Sequence, residues 1–502
     1  MTGTSTAPER VAEFLRGIPL FRPLSETLRN EIATSATPVD LAGGEWLFRA
    51  GEPGDSLYVL HLGLVEVVDE SQSPPVVLRV LGRGQSFGEL ALLNDAPRSA
   101  SIRALRDCSL LRIDRDDYEA LLLRNPRVIL ETAKELVHRL QNPGSSDHRS
   151  GSYLGVLTIA SVGVPLRHSG LTDRIVANLS AGLKVSCLDG SELEPARDDE
   201  QDLDAAYRKL LDESERDNDL VLLVVDSEAG VGGPQAAERW RNFSMRQGDR
   251  VLLVVDPATK PEHSPLEHRP NGVDVAFVCD EHRAQSLGPW LDALQPRAHH
   301  FLHPLGAIER DVGRMCRRLV GASIGVVLCG GGARALAHIG VLQALEEADL
   351  QVDRIGGVSM GALLSALYAS GRSIDEMVAI CQRELVERNP FNDYTFPMVS
   401  LIRAHKAERM LRGVFGAADI ESLPMPYFCV SSDLLSATVH VHRRGPLVES
   451  IGASMSLPGV APPRRMNGGL LVDGGVLNNL PTDVGRAAQE GPVIGCDLLS
   501  AS

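Results

Sequence analysis

Three short stretches of the chain place chemistry-bearing residues beside glycines. In "GGVSMGALLSALYASG", Gly356 to Gly371, Ser359 occupies the centre of Gly357-Val358-Ser359-Met360-Gly361. A Gly-x-Ser-x-Gly pattern suits a sharp strand-to-helix turn, because glycines tolerate the crowded backbone and the hydroxyl is left projecting at the apex. Taken alone it fits a nucleophile and an ordinary tight turn equally well, in a chain with 47 glycines. In "SIGVVLCGGGARALAHIGVLQALEEADL", Ser323 to Leu350, an apolar run leads into Gly330-Gly331-Gly332 and a helical pattern follows. Backbone N–H groups turned toward a ligand there could hold a phosphate or the oxyanion of an ester-hydrolysis intermediate. A dinucleotide site wants an acidic residue at a second strand end about 20 positions further on; what comes next instead is Ser359, so the oxyanion reading is favoured. The third stretch, "LLVDGGVLNNLP", sets Asp473 between an apolar run and two glycines, where a carboxylate is left exposed at a turn and can serve a hydroxyl as base.

The order and company of Gly330-Gly331-Gly332-Ala333-Arg334, Gly357-Val358-Ser359-Met360-Gly361 and Asp473-Gly474-Gly475 resemble the patatin-like phospholipase family. With the two preceding segments described below, nearly the whole chain is similar to the neuropathy target esterase type of that family. The resemblance implies a serine–aspartate dyad: Ser359 attacks the ester carbonyl of a phospholipid or lysophospholipid, and Asp473 takes its proton without an intervening histidine. It also implies an oxyanion hole built from Gly330, Gly331 and Gly332 with Arg334 at the family's arginine position, and no metal. Ala335 stands where a glycine is usual.

A Ser-His-Asp triad is the competing arrangement, with partners following the serine in the order acid, then histidine. No histidine follows Asp473, which leaves Ser359 with Asp433 and His440 or His442. "TVHVH" alternates like a strand with both imidazoles on one face, and a solvated strand face accounts for them. His338, inside the helical run after the glycines, is expected to be packed or capping.

A further cassette, "FGELALLNDAPRSAS", Phe87 to Ser101, precedes these motifs. N–H groups at a helical turn favour an anion, Arg98 can make charge-assisted bonds to a phosphate, and Glu89 can accept from a ribose hydroxyl. The stretch Ile18 to Leu140 resembles the cyclic nucleotide-binding domain family. By that resemblance Gly88, Glu89, Leu90, Arg98 and Ser99 are ligand-contacting positions, and Ser99 is compatible with cyclic AMP ahead of cyclic GMP as a regulator. A non-catalytic, cyclic nucleotide-responsive signalling or scaffold protein is the alternative to an enzyme.

The elements needed to position these residues can be read in outline. At 502 residues the chain is too long for one core. Val39 to Asp114 carries short β-like runs punctuated by glycines, with helical patterns at each end, as a small β-roll requires. "QNPGSSDHRSGS", Gln141 to Ser152, is a linker. From Tyr153 the runs "LGVLTIASV", "LKVSCLD", "DLVLLVVD", "DRVLLVVD" and "VDVAFVCD" alternate with helical stretches, as a mostly parallel sheet requires. The loop "SVGVPLRHSGLT" lacks the Gly-Lys-Ser/Thr of a nucleotide hydrolase, so that segment is read as a structural spacer. The expected architecture is multidomain α+β and α/β: a β-roll cyclic nucleotide-binding domain over 1–140, a linker over 141–152, a Rossmann-like α/β domain over 153–320 and a patatin-like α/β domain over 321–502. The closing "PVIGCDLLSAS" leaves little to pack beyond its strand, an edge that suits an incomplete C-terminus.

Formal charge argues against nucleic acid: 50 basic residues stand against 66 acidic ones, a net of −16. The eight cysteines are scattered without a C-x-x-C pair, which fits a reduced cytoplasmic chain without structural zinc. No stretch approaches the roughly 20 apolar residues that span a bilayer, so contact with a membrane is expected to be peripheral. Head group, acyl chain and self-association are left open at this level.

Overall fold

The computed structural model describes residues 7–498 apart from 74, 95, 126–153, 192–199, 227–233, 262–271, 280–286, 305, 397 and 467. The linker read over 141–152 lies outside the described residues, as does the helical pattern before it. The described chain divides into two compact units: Met1–Val278 with Pro289–Leu302, and Cys279–Gly288 with His303–Ser502.

In the first unit, eight strands between Thr37 and Asp114 form two four-stranded antiparallel sheets. Helices Ala7–Gly17 and Glu26–Ser35 precede them, and Arg115–Arg124 follows. Alternate strand residues point inward, so Leu60, Val65, Ile102 and Leu110 make one core between the sheets while Leu15, Phe21 and Tyr118 make a second beneath the helices. This is the expected β-roll. Six parallel strands follow, in the order Val185–Leu188, Leu220–Val225, Val156–Val162, Arg250–Val255, Val273–Val278 and Ala298–Leu302. The three central ones are buried almost throughout, which is why their sequences are continuous apolar runs rather than alternating ones.

One buried cation joins the two layers of this unit. Arg106, just before the last β-roll strand, pairs with Asp249 at 2.6 Å and Glu215 at 2.7 Å, and all three side chains are withdrawn from water. Removing either acid would leave a buried charge short of a partner, so the segment read as a spacer is anchored to the β-roll by charge as well as by the chain.

The second unit is built on a mixed seven-stranded sheet. Its path runs Arg464–Met466, Gly469–Asp473, Tyr427–Asp433, Val352–Gly357, Ile324–Leu328, Val493–Cys496, with Thr438–His442 paired to Tyr427–Asp433. The three central strands are parallel, and helices Met360–Ala369 and Leu447–Ser454 pack against them through Leu363, Leu364, Leu367, Leu447 and Ile451. Helix Ile308–Leu319 belongs to this unit as well; its Arg317 makes a two-pronged bond to Asp353, and its Arg318 bonds Glu490.

Candidate active site

Ser359 follows the C-terminal end of Val352–Gly357 and immediately precedes helix Met360–Ala369. Its backbone lies at φ 55, ψ −123, a region that L residues seldom enter. A strained conformation of this kind costs roughly 1–3 kcal/mol and persists only where its surroundings enforce it. The enforcement is visible in the flanking glycines. A Cβ at Gly357 would lie 2.6 Å from the carbonyl carbon and oxygen of Gly361, and one at Gly361 would press on the carbonyl oxygens of Leu328 and Cys329. The turn is therefore folded backbone against backbone on the neighbouring strand, leaving no room for side chains on either side of the serine. The Ser359 N–H donates to Ser454 Oγ at 2.9 Å, and that hydroxyl donates to the Val430 carbonyl at 2.7 Å.

Asp473 ends strand Gly469–Asp473 and is buried. Its N–H donates to the Ser456 carbonyl at 2.9 Å, and its Oδ1 accepts from the Gly475 N–H at 2.8 Å. Burial raises its pKa above the usual carboxylate range, against the pull of hydrogen-bonding interactions with the Ser359 side chain and the Gly475 amide. The serine and the aspartate named from sequence are thus brought together, with no imidazole between them. A carboxylate made more basic by burial and set near a hydroxyl is suited to take its proton.

The glycine loop packs against Ser359. A Cβ at Gly330 would lie 3.2 Å from Ser359 Cβ, so the two backbones meet there. Gly332 has φ +56, and no backbone hydrogen bond from Gly330, Gly331 or Gly332 to another group occurs among the described residues. Three amides near a serine are thus left with donors to offer. Arg334 differs from them: it is exposed, and its N–H already donates to the Gly331 carbonyl at 3.3 Å.

The triad alternative finds no geometry. Asp433 accepts from the Leu435 and Leu470 amides and the Ser436 hydroxyl, and His442 bonds Ser431 Oγ at 2.9 Å. The two imidazoles do share a face, with ring centroids 4.6 Å apart. The solvated face expected for them is corrected by the structure, since His442 is buried where its strand pairs along Tyr427–Asp433. Burial, and then the neighbouring His440, push its pKa down to about 4, so it is neutral. His338 is packed as expected, its Nε2 3.0 Å from the Cys329 carbonyl.

Two residues at the site have no local signature. Ser454 holds the nucleophile turn from a helix 95 positions away. Asn479 donates from Nδ2 to the Gly330 carbonyl at 3.4 Å, and its Oδ1 would be 2.9 Å from a Cβ at Gly475, so it sits between the glycine loop and the Asp473 turn. The asparagine pair of "LNNLP" was in view in the sequence, but only the fold shows which member turns inward.

In the β-roll, Gly88 takes φ +93 at the start of the short helix Glu89–Leu93, where a Cβ would lie 2.6 Å from Arg98 Nη1. Arg98 is buried, with Nη1 donating to the Ser56 and Gly88 carbonyls at 2.9 and 3.2 Å and Nη2 to Ser56 Oγ at 3.2 Å. Its guanidinium lies 4.2 Å from the Phe48 ring centroid, and Nε has no partner among the described residues. Glu89 is buried beside it, whereas Leu90 and Ser99 are exposed.

Comparison with known proteins agrees with both halves. Residues 326–485 match the model for patatin-like phospholipase, and residues 38–125 match that for the cyclic nucleotide-binding domain. An uncharacterized NTE family protein of Mycobacterium tuberculosis is 33% identical over 96% of this chain and 79% of its own. A lysophospholipase of Mycosarcoma maydis is 27% identical over 91% of this chain but 28% of its own. Human patatin-like phospholipase domain-containing protein 6 is 28% identical over 91% and 37%. The chain thus spans about a third of these two relatives. A patatin-like phospholipase domain, a hydrolase, preceded by a cyclic nucleotide-binding β-roll and matched to a relative at this identity over nearly the whole length, establishes that the chain belongs to the NTE family.

Proposed function

We propose that the chain hydrolyses carboxylic esters of phospholipids or lysophospholipids through an acyl-Ser359 intermediate. The observation that carries this is the strained Ser359 turn set near the buried Asp473 carboxylate and packed against a glycine loop with undonated amides. Ser359 Oγ attacks the ester carbonyl as Asp473 takes its proton, and amides from Gly330, Gly331 and Gly332 receive the developing oxyanion. Collapse expels the alcohol portion of the lipid, which leaves with the proton from Asp473. Asp473 then deprotonates a water, which attacks the acyl-serine; collapse breaks the acyl–Oγ bond, and Asp473 returns the proton to Ser359 Oγ as the fatty acid leaves. No step requires a metal. Arg334, exposed on the same turn, contributes its side-chain charge to the loop rather than an amide. The three-part organisation belongs to the same reading, with bounds near 140 and 152 and the last, read at 320, moved ahead of helix Ile308–Leu319, which groups with the second unit; so does a cytoplasmic chain acting peripherally on lipid.

A fluorophosphonate tests the nucleophile without a known lipid, because activated serines are trapped by it. The expected result is one adduct, on Ser359 by peptide mapping, together with fatty-acid release from lysophosphatidylcholine or phosphatidylcholine. Labelling that persists in Ser359→Ala would point to another nucleophile.

The β-roll is proposed to bind a cyclic nucleotide, cyclic AMP before cyclic GMP, and to bias hydrolysis by doing so. Its support is the αL Gly88 beside a buried Arg98 whose Nε–H is unspent, with Glu89 adjacent. Arg98→Ala is expected to weaken binding by about 1.5–3 kcal/mol, the scale of a hydrogen bond to a charged group. Calorimetry with both nucleotides on wild type and variant, alongside hydrolysis rates, measures this. Regulation further requires that nucleotide and lipid analogue shift each other's affinity by one factor. No heat at millimolar nucleotide would sink binding, and equal hydrolysis with and without bound nucleotide would sink regulation.

A further inference from the structure

Asp393–Phe396 and Met398–Arg403 form the two arms of a small hairpin in the second unit. Arg403 N–H donates to the Asp393 carbonyl at 3.0 Å, Thr395 N–H to the Leu401 carbonyl at 2.9 Å, and Tyr394 is bridged to Ile402. Its tip is apolar and in water: Phe396 is 83% exposed, Met398 85% and Val399 69%. Three such side chains together at the end of a hairpin run against the ordinary partition of large apolar groups, and a contiguous apolar feature of this kind marks a contact surface.

Two observations say what it contacts. The first is charge. In a chain of net charge −16, the hairpin's one acid is Asp393 at its foot, where its Oδ2 accepts from the Lys406 N–H at 3.2 Å, and the stretch from Tyr394 to Ala407 contains no other. Arg403 and Lys406 at its base are exposed, as is Arg409 one turn further on, and none of the three pairs with a carboxylate among the described residues. An aromatic and aliphatic tip with cations set behind it matches an anionic lipid interface, where apolar groups enter the acyl boundary and ammonium or guanidinium groups stay among the headgroups. A two-fold contact with a second copy would instead set those same cations against one another. The second is place. Leu401 and Ile402 donate their N–H groups to the carbonyls of Gly459 and Val460 at 3.0 and 2.9 Å, and the segment 457–460 directly follows Ser456, whose carbonyl holds the Asp473 amide. Leu457 in that segment and Leu477, in the turn after Asp473, are themselves about half exposed.

We propose that this hairpin is a docking element that inserts Phe396, Met398 and Val399 into an anionic phospholipid surface and so brings the Asp473 side of the site to the lipid. It deepens the phospholipase reading and rests on that reading for the choice of lipid.

The test uses the full chain and the variant Phe396→Ser, Met398→Ser, Val399→Ser; these side chains are exposed, so folding is expected to survive. Flotation with vesicles of phosphatidylcholine and phosphatidylglycerol in equal parts should show at least about tenfold weaker partition for the variant, since three apolar side chains no longer leave water. Wild-type partition should also fall in phosphatidylcholine alone and at high salt. Hydrolysis of a short-chain, monomeric phenyl ester should be unchanged. Equal partition of variant and wild type would overturn the proposal. So would an equal loss of monomeric ester hydrolysis, which would make the tip part of the reaction centre, or a wild-type dimer that the variant dissociates, which would make it a self-association surface. Partition lost in the variant with no ester hydrolysis in either protein would support docking and overturn the phospholipase reading instead.

Discussion

Ser359→Ala and Asp473→Asn are each expected to reduce ester hydrolysis by about 10⁴-fold or more, and the double variant by no more than either alone, because nucleophile and base act as one unit. The geometry behind this is specific. The Asp473 carboxylate is the acid set near the Ser359 hydroxyl, and the histidines are committed elsewhere, His442 to Ser431 and His338 to the Cys329 carbonyl. Full activity in either single variant, or losses that add, would remove the dyad. A pH profile of kcat/KM supplies an independent check. Asp473 works as a base only when ionised, and burial raises its pKa, so the acid limb should lie above the ordinary carboxylate range. In Asp473→Asn any residual activity should lack that limb.

The same group has a stability consequence of the opposite sign. With the folded pKa above the unfolded one, the ionised carboxylate is disfavoured in the folded state. The resulting destabilisation is absent at pH values below the unfolded pKa and grows as pH rises through the folded pKa. Asp473→Asn should therefore melt no lower than wild type at neutral pH and show less loss of stability between acid and neutral pH. A variant that is inactive because it is unfolded would do the reverse, so one melting series separates loss of chemistry from loss of fold.

What could be read from the sequence divides along a physical line. Gly330, Gly357 and Gly361 were legible because local backbone geometry dictates residue type, a Cβ having nowhere to go, and Gly332 because its φ is positive; Ser359 is legible from the glycines on either side of it. The parallel strands were legible because burial on both faces leaves apolar runs. Ala298–Leu302 escaped because its centre is His299-His300, and nothing local announces that His300 becomes buried at the sheet edge. Ser454 and Asn479 escaped for the same reason at the site: each reaches it by tertiary packing alone. His442 reads as solvated by alternation, yet pairing along Tyr427–Asp433 buries it. Alternation reveals which side chains share a face; what covers that face is decided by elements distant in sequence.

Gly361→Ala tests the backbone-on-backbone account of the serine turn, and its expected effect is on the fold of the second unit rather than on chemistry. A methyl group at this position lies 2.5 Å from the Cys329 carbonyl oxygen and 2.9 Å from the Leu328 carbonyl carbon, and closer still to the Leu328 oxygen, which already accepts from Val358 N–H at 3.1 Å. Those atoms end the strand Ile324–Leu328, which is bonded on both sides, to Val352–Gly357 and to Val493–Cys496. Neither neighbour can shift without breaking a ladder, so the overlap cannot be relieved by turning a side chain. The cost should be about 3 kcal/mol or more, at the upper end for overpacking a well-filled site. Gly340→Ala is the matched control: it lies in helix Ala337–Glu347 with nothing within 4 Å of the new Cβ, and should be neutral or stabilising by up to about 1 kcal/mol. The molecule carries its own reference for the measurement. All three tryptophans, Trp46, Trp240 and Trp290, fall in the first unit. Tryptophan fluorescence should therefore melt as in wild type while fluorophosphonate labelling of Ser359 is lost at a lower temperature. A Gly361→Ala variant that labels and melts like wild type would mean that the turn has room its packing denies, and the strain at Ser359 would then need another origin.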